Sequence, residues 1–229
     1  VGGGVLGAGA LVLAFAVFAF QPLVFEISTS VQPEGLMLAA YAASVYFFLR
    51  WLKKDSAGNF ICAVAFTALV ILAKAPAAHL GLLFGVLLLQ KFGLAVVKQK
   101  MVWLFGALSL LPAILWYAHA KSLWLTYGNS LGVSNETHLV GADFFTNPYF
   151  IKGILGAEIF AVWLGFGVAV GAFAVWQGFR EKLTFICLVW LAAACAFYLI
   201  AARTTADNWA VYYHVFSVLP AALLFGSGA

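Results

Sequence analysis

Along this chain, long apolar runs alternate with short polar breaks. The runs predict membrane-spanning helices over residues 3–21, 36–52, 60–73, 77–97, 101–119, 154–176, 183–202 and 211–227. A helix rises about 1.5 Å per residue, so about 20 apolar residues are needed to cross the hydrocarbon. The pattern therefore predicts an all-α polytopic membrane protein with eight transmembrane helices, in a single transmembrane domain over residues 1–229. The run 60–73, "FICAVAFTALVILA", is the shortest and stops at Lys74-Ala75-Pro76. It either crosses alone or forms a hairpin with 77–97, with Lys74 at the turn. Pro76 is tolerated at the start of the next helix, where its missing N–H has no intrahelical partner. The break at 120–153 is long for a connector, since structureless loops beyond about 15 residues are uncommon. Its aromatics, Trp124, Tyr127, Phe144, Phe145, Tyr149 and Phe150, are expected on short helices lying along the membrane surface.

Composition removes the soluble classes. The 229 residues are 65% hydrophobic and only 9% charged, with mean hydropathy +1.04. A soluble domain is about 45–50% apolar and about 25% charged, and no soluble core could hide the difference. Eight Trp and 22 Phe suit spans with interfacial belts. The net charge of +4 is small and scattered, and it argues for basic loops on one membrane face rather than for nucleic acid. Cys62, Cys187 and Cys195 all lie in apolar runs, without metal or disulfide spacing, and read as small core residues. The chain opens on Val1 in a glycine-rich apolar run and closes on "LLFGSGA", the pattern of a segment of a longer membrane protein. There is no Walker loop, dinucleotide fingerprint or zincin motif. The glycines of 1–9 and "GFGVAVG" fit close helix packing.

Charge then orients the spans. With the turns at 50–59, 98–100 and 178–182 cytoplasmic, that side carries Arg50, Lys53, Lys54, Lys98, Lys100, Arg180 and Lys182. The opposite side keeps Lys74, Lys121, Lys152 and Arg203, a positive-inside bias. Glu26, Glu34, Glu136, Asp143, Glu158 and Asp207 fall outside, as do His79, His119, His138 and His214. The inner turns are short and chemically plain, so the functional surface is expected on the outer face. A transporter would instead place ionisable groups near mid-membrane at broken helices.

Each polar group has a plain reading and a functional one. Glu34, after Pro33, suits ordinary helix-terminus electrostatics, or it is a carboxylate aimed into an outer cavity. Lys74 stands outside against the charge trend and needs an anion. Either it snorkels to lipid headgroups or it holds the phosphate of a lipid-linked substrate, with His79 about one helical turn further. Arg203 raises the same question, because a guanidinium grips phosphate with two prongs. His214, beside Tyr213, is either a satisfied interface histidine or, with the two cations, part of a phosphate clamp. Asn135-Glu136-Thr137 matches a glycosylation sequon and indicates exposure only. Asp143 and His138 lack a specific metal spacing, and metal dependence stays open.

The run "FQPLVFEISTSVQPEGLMLAAYAASVYFFLRWLKK" resembles the membrane core of polytopic glycosyltransferases of the GT-C type. The likeness is to the bacterial family related to protein O-mannosyltransferases and the aminoarabinose transferases of lipid A. "LAKAPAAHLG" resembles that family's "AKGP" element, and "YYHVFSVLPAALLFG" its late span. The order and placement of these elements persuade more than any one of them. The resemblance implies a GT-C-like fold in a bacterial inner membrane, and a polyprenyl-phosphate-linked sugar as donor. Transfer would occur to an acceptor on the periplasmic or luminal side. It implies that Glu34 is the acid opening the span and that Lys74 lies near the lipid phosphate. Arg203, Tyr213 and His214 would line the donor pocket from the other side. The family's principal catalytic Asp belongs to a first outer loop that has no counterpart here, so the segment is expected to hold pocket walls without that base. The rivals are a carrier or flippase of an anionic lipid-linked substrate, and a structural membrane subunit.

Overall fold

The computed structural model describes residues 7–30, 33–128 and 147–228. All regular structure among them is helical. Five helical segments are long and apolar enough to cross a membrane, or up to seven if each of two bent pairs is one span. The chain is thus a polytopic all-α membrane protein. It divides into two compact units, residues 33–137 and residues 1–32 with 138–229.

The first part of the chain, α1, Ala8–Phe20, and α2, Pro22–Thr29, belongs to the second of these units and is described with it below. The unit of residues 33–137 is built on a helical hairpin. Helix α3, Glu34–Lys53, follows Pro33, carries Glu34 in its first turn and ends on Arg50 and Lys53. That charge order complements the helix dipole at both ends. Its face Met37, Tyr41, Val45, Phe48 and Trp51 is buried at the three- and four-residue spacing of one helix side. Helix α4, Ala57–Ala73, returns antiparallel after a short turn. Phe47 stacks on Phe66 at 5.5 Å, and Ser44 and Thr67 share a 2.7 Å hydrogen bond. Each pair is nearly equidistant from the turn at Lys54–Ser56. The same arithmetic brings residue 34 towards residue 74.

Lys74 caps the end of α4, and a 3₁₀ turn, Ala75–His79, opens α5, Leu80–Phe92. A second 3₁₀ stretch, Gly93–Lys98, leads to α6, Lys100–Tyr127. Phe48, Trp51, Phe60, Phe84 and Phe105 pack as one aromatic cluster that joins α3 to α6, with Phe48 on Phe84 at 3.9 Å. Lys91 Nζ donates to the Leu52 carbonyl at 2.6 Å, which satisfies an end carbonyl of α3. Helix α6 runs past the expected end of its span and includes Trp124 and Tyr127. Gly128, at φ +70°, then caps it through an N–H to the Trp124 carbonyl.

In the other unit, α1 and α2 meet at 54° about Gln21. The Gln21 side chain accepts from Val24 N–H and donates to the Ala161 carbonyl, so the bend is held from two directions. Helix α7, Pro148–Gly156, carries Tyr149 and Phe150 of the expected surface loop. It passes into a π-helical turn, Ala157–Val162, and breaks before α8, Gly167–Gly178. The two halves are bent by 87°, so the straight span expected over 154–176 is not what forms. Leu164 at φ 53° and Gly165 at φ 71° make the corner, a left-handed conformation that Gly165 tolerates and Leu164 does not favour.

Helix α9, Lys182–Ile200, and the short α10, Ala202–Thr205, lead to a 3₁₀ segment, Asn208–Ser217. Helix α11, Val218–Gly228, completes the unit. The expected span 211–227 is therefore 3₁₀ in its first half and α-helical in its second.

Candidate functional site

Two polar clusters form, one in each unit. In the first, the hairpin geometry brings the buried Glu34, 3% exposed, against Lys74, and the two form an ion pair. Burial pulls the Lys74 pKa below the ordinary lysine range, against the opposing pull of Glu34 through its hydrogen bond and charge. Among the described residues, Glu34 Oε2 is buried without a hydrogen-bond partner. A carboxylate half satisfied in this way is a strong acceptor waiting for a donor.

Two turns along the same face of α3, the Tyr41 hydroxyl lies 2.7 Å from His79 Nε2, and His79 Nδ1 lies 2.7 Å from the Pro76 carbonyl. A carbonyl only accepts, so Nδ1 carries the hydrogen at the Pro76 contact, and Nε2 shares a hydrogen bond with the Tyr41 hydroxyl. His79 thus has both nitrogens engaged inside the unit. It fixes the 3₁₀ turn that presents Lys74. Sequence reading does not single out Tyr41. Its signal is its seven-residue spacing from Glu34 on one helix face.

In the second cluster, His214 is fully buried and Glu158 nearly so. His214 Nδ1 lies 2.7 Å from Glu158 Oε1, and Nε2 lies 2.9 Å from the Thr205 carbonyl. Tyr198 of α9 packs on the imidazole at 4.3 Å, and its hydroxyl meets Ser217 Oγ at 2.9 Å. Thr205 Oγ donates to the Tyr198 carbonyl at 2.7 Å. Tyr213, the neighbour of His214, stacks with Tyr212 at 4.5 Å and meets Phe197 at 6.0 Å. Arg203 lies on α10. Sequence reading counts Glu158 only as an outer-side acid. The structure places it in the π-helical turn, where a lone acid within "ILGAEIFAVWLG" needs a partner. Near the start of this segment, the Tyr149 hydroxyl donates to Asp207 Oδ1 at 2.5 Å, and Trp209 Nε1 donates to Oδ2 at 3.2 Å.

His138 and Asp143, with Asn135, Glu136, Thr137, Phe144 and Phe145, lie outside the described residues. Among the described residues, no three His, Cys, Asp or Glu side chains converge as a metal site would require.

Comparison with protein families matches residues 4–117 to the family described as dolichyl-phosphate-mannose-protein mannosyltransferase. That stretch runs from α1 into α6 and includes Glu34, Lys74 and His79; Arg203, Tyr213 and His214 lie beyond it. Comparisons with curated proteins and with solved structures give no match. The match and the helices together are consistent with a membrane-embedded, transferase-like core.

Proposed function

We propose that this chain is the membrane core of a glycosyltransferase of GT-C type. In this reading it uses a polyprenyl-phosphate-linked sugar and works on the periplasmic or luminal side of a bacterial inner membrane. The observation that carries the reading is the buried Glu34–Lys74 pair inside the stretch that matches the mannosyltransferase family. Eight crossings follow if each bent pair counts as one span and the 17-residue Ala57–Ala73 also crosses.

Sugar transfer from a phosphate needs the leaving oxygens' charge stabilised and the acceptor's proton received. Lys74 supplies the cation. An incoming phosphate competes with Glu34 for the ammonium, and the carboxylate it releases becomes available to the acceptor hydroxyl. The donor thus sets free the group that the second substrate needs. Inverting transfer in one displacement requires one base only, so a second carboxylate is not demanded. Arg203, on α10, is a separate candidate cation for an anionic group. His79 and His214 each act as a support within their own unit, since both nitrogens of each are engaged there, and Tyr213 packs on Tyr212 and Phe197.

The test is transfer from a radiolabelled polyprenyl-phosphate sugar in membranes containing the whole protein. Lys74→Ala should reduce transfer at least about tenfold, as loss of a charge-stabilising group does, and weaken donor binding. Arg203→Ala should raise the donor KM. Unchanged transfer in both variants would sink the phosphate reading.

A second reading, a carrier of an anionic lipid-linked substrate, draws support from the 87° break beside the buried Glu158–His214 pair. Substrate movement across vesicles without transfer to any acceptor would favour it.

A further inference from the structure

At one end of the unit of residues 33–137, four helix ends gather into a basic surface. Trp51 near the end of α3 packs on Phe105 of α6 at 5.6 Å and on Phe60 of α4 at 5.1 Å. The bond from Lys91 to the Leu52 carbonyl adds the end of α5 to this group. The surface therefore carries Arg50, Lys53, Lys54, Lys91, Lys98 and Lys100, all exposed, with Asp55 as the acid among them. Among the described residues, no ion pair involves any of these cations.

Helix dipoles account for part of the pattern. Arg50, Lys53 and Lys91 lie in last turns, where a cation is favoured. Lys100 instead opens α6, where the dipole opposes it, and no acid lies in that first turn. Like charges held together in this way repel, and an anion from outside the chain relieves the repulsion.

The turn that carries the lysines is also apolar. Gly93, at φ +57°, ends α5 in a conformation that residues with a Cβ rarely adopt. The 3₁₀ stretch after it leaves Leu94 88% exposed and Val97 62% exposed, and Trp103 on α6 is 65% exposed. Trp103 Nε1 donates to the Val97 carbonyl at 2.9 Å, so the indole is tied to the turn. Apolar side chains exposed between lysines suit the boundary of headgroups and acyl chains rather than bulk water. Tryptophan is enriched in that same layer.

We infer that the turn Gly93–Lys100, with Lys91, is a binding site for an anionic phospholipid. Lys91, Lys98 and Lys100 hold its phosphate, and its acyl chains lie along Leu94, Val97 and Trp103. The Leu52 carbonyl takes one of the three donors of the Lys91 ammonium and fixes its place, so the others serve the phosphate. An ammonium acts as a point charge, so the site reads net negative charge rather than headgroup shape. A zwitterionic lipid brings its own cation against the lysines and binds less well. The inference goes beyond the transferase reading and does not depend on it.

The experiment is native mass spectrometry of the whole protein in detergent, offered equal amounts of phosphatidylglycerol and phosphatidylcholine. Wild type should retain more phosphatidylglycerol. Lys98→Gln with Lys100→Gln should lower the ratio of bound lipids by about fivefold per lysine. Arg180→Gln with Lys182→Gln removes as much charge from another basic turn and should change the ratio much less. No preference in wild type, or one that the Lys98–Lys100 variant keeps, would overturn the site. Equal losses in both variants would overturn it too, because net charge alone would then set the preference. If the Lys98–Lys100 variant does not fold, Leu94→Asp decides, since it places an acid inside the site at an exposed position. A lowered ratio supports the site, and an unchanged one rejects it.

Discussion

Glu34 and Lys74 show how a polar pair behaves when both partners are taken out of water. Each ion is costly to bury alone, and their attraction offsets that cost only while both are present. Lys74→Met is therefore expected to destabilise the protein by about 3–5 kcal/mol, because it leaves the Glu34 carboxylate buried without its counter-ion. Glu34→Leu combined with Lys74→Met should recover most of that loss, which equilibrium unfolding in detergent would measure. Recovery by the double variant separates a charge left unpaired from a loss of packing. Sequence reading names both residues but treats them as separate contacts to outside ligands. That they answer one another follows from their nearly equal distance from the turn near Asp55, which is legible once α3 and α4 are taken as a hairpin.

At the scale of elements, the largest departure from expectation is the broken segment between α7 and α8. An apolar run from 154 to 176 reads as one helix because hydropathy is blind to backbone direction. The structure turns it by 87° at Leu164 and Gly165. A non-glycine residue in the left-handed region costs about 1–2 kcal/mol. Leu164→Gly should relieve that cost and raise stability by about 1 kcal/mol if the lost side chain contributes little. Gly165→Ala should lower it by a similar amount. Thermal unfolding of the two variants would show shifts of opposite sign; a stabilised Gly165→Ala would mean the corner is not the resting conformation. Close packing elsewhere in this unit also uses glycine. A Cβ on Gly153 would collide with the Ala206 carbonyl group, so α7 meets the turn after α10 backbone to backbone.

At the scale of the molecule, the positive-inside bias predicts which loops face the cytoplasm. A single cysteine introduced by Asp55→Cys should react with a membrane-impermeant maleimide only after the membrane is opened, whereas one introduced by Lys121→Cys should react in intact cells. Cys62, Cys187 and Cys195 lie within helices and would first be replaced. Reversed labelling would invert the orientation and move Glu34 and Lys74 to the cytoplasmic side. The sequence by itself determined the class of the protein, most helix positions, the charge asymmetry and the candidacy of Glu34, Lys74 and His214. These depend on apolar length and on charge counted along the chain, both of which are local. Tertiary structure alone decided the corner at Leu164–Gly165 and the partners Tyr41 for His79 and Glu158 for His214. A buried polar group must find a donor or acceptor wherever the fold brings one within about 3 Å, and residues 158 and 214 meet only because the chain between them turns back on itself.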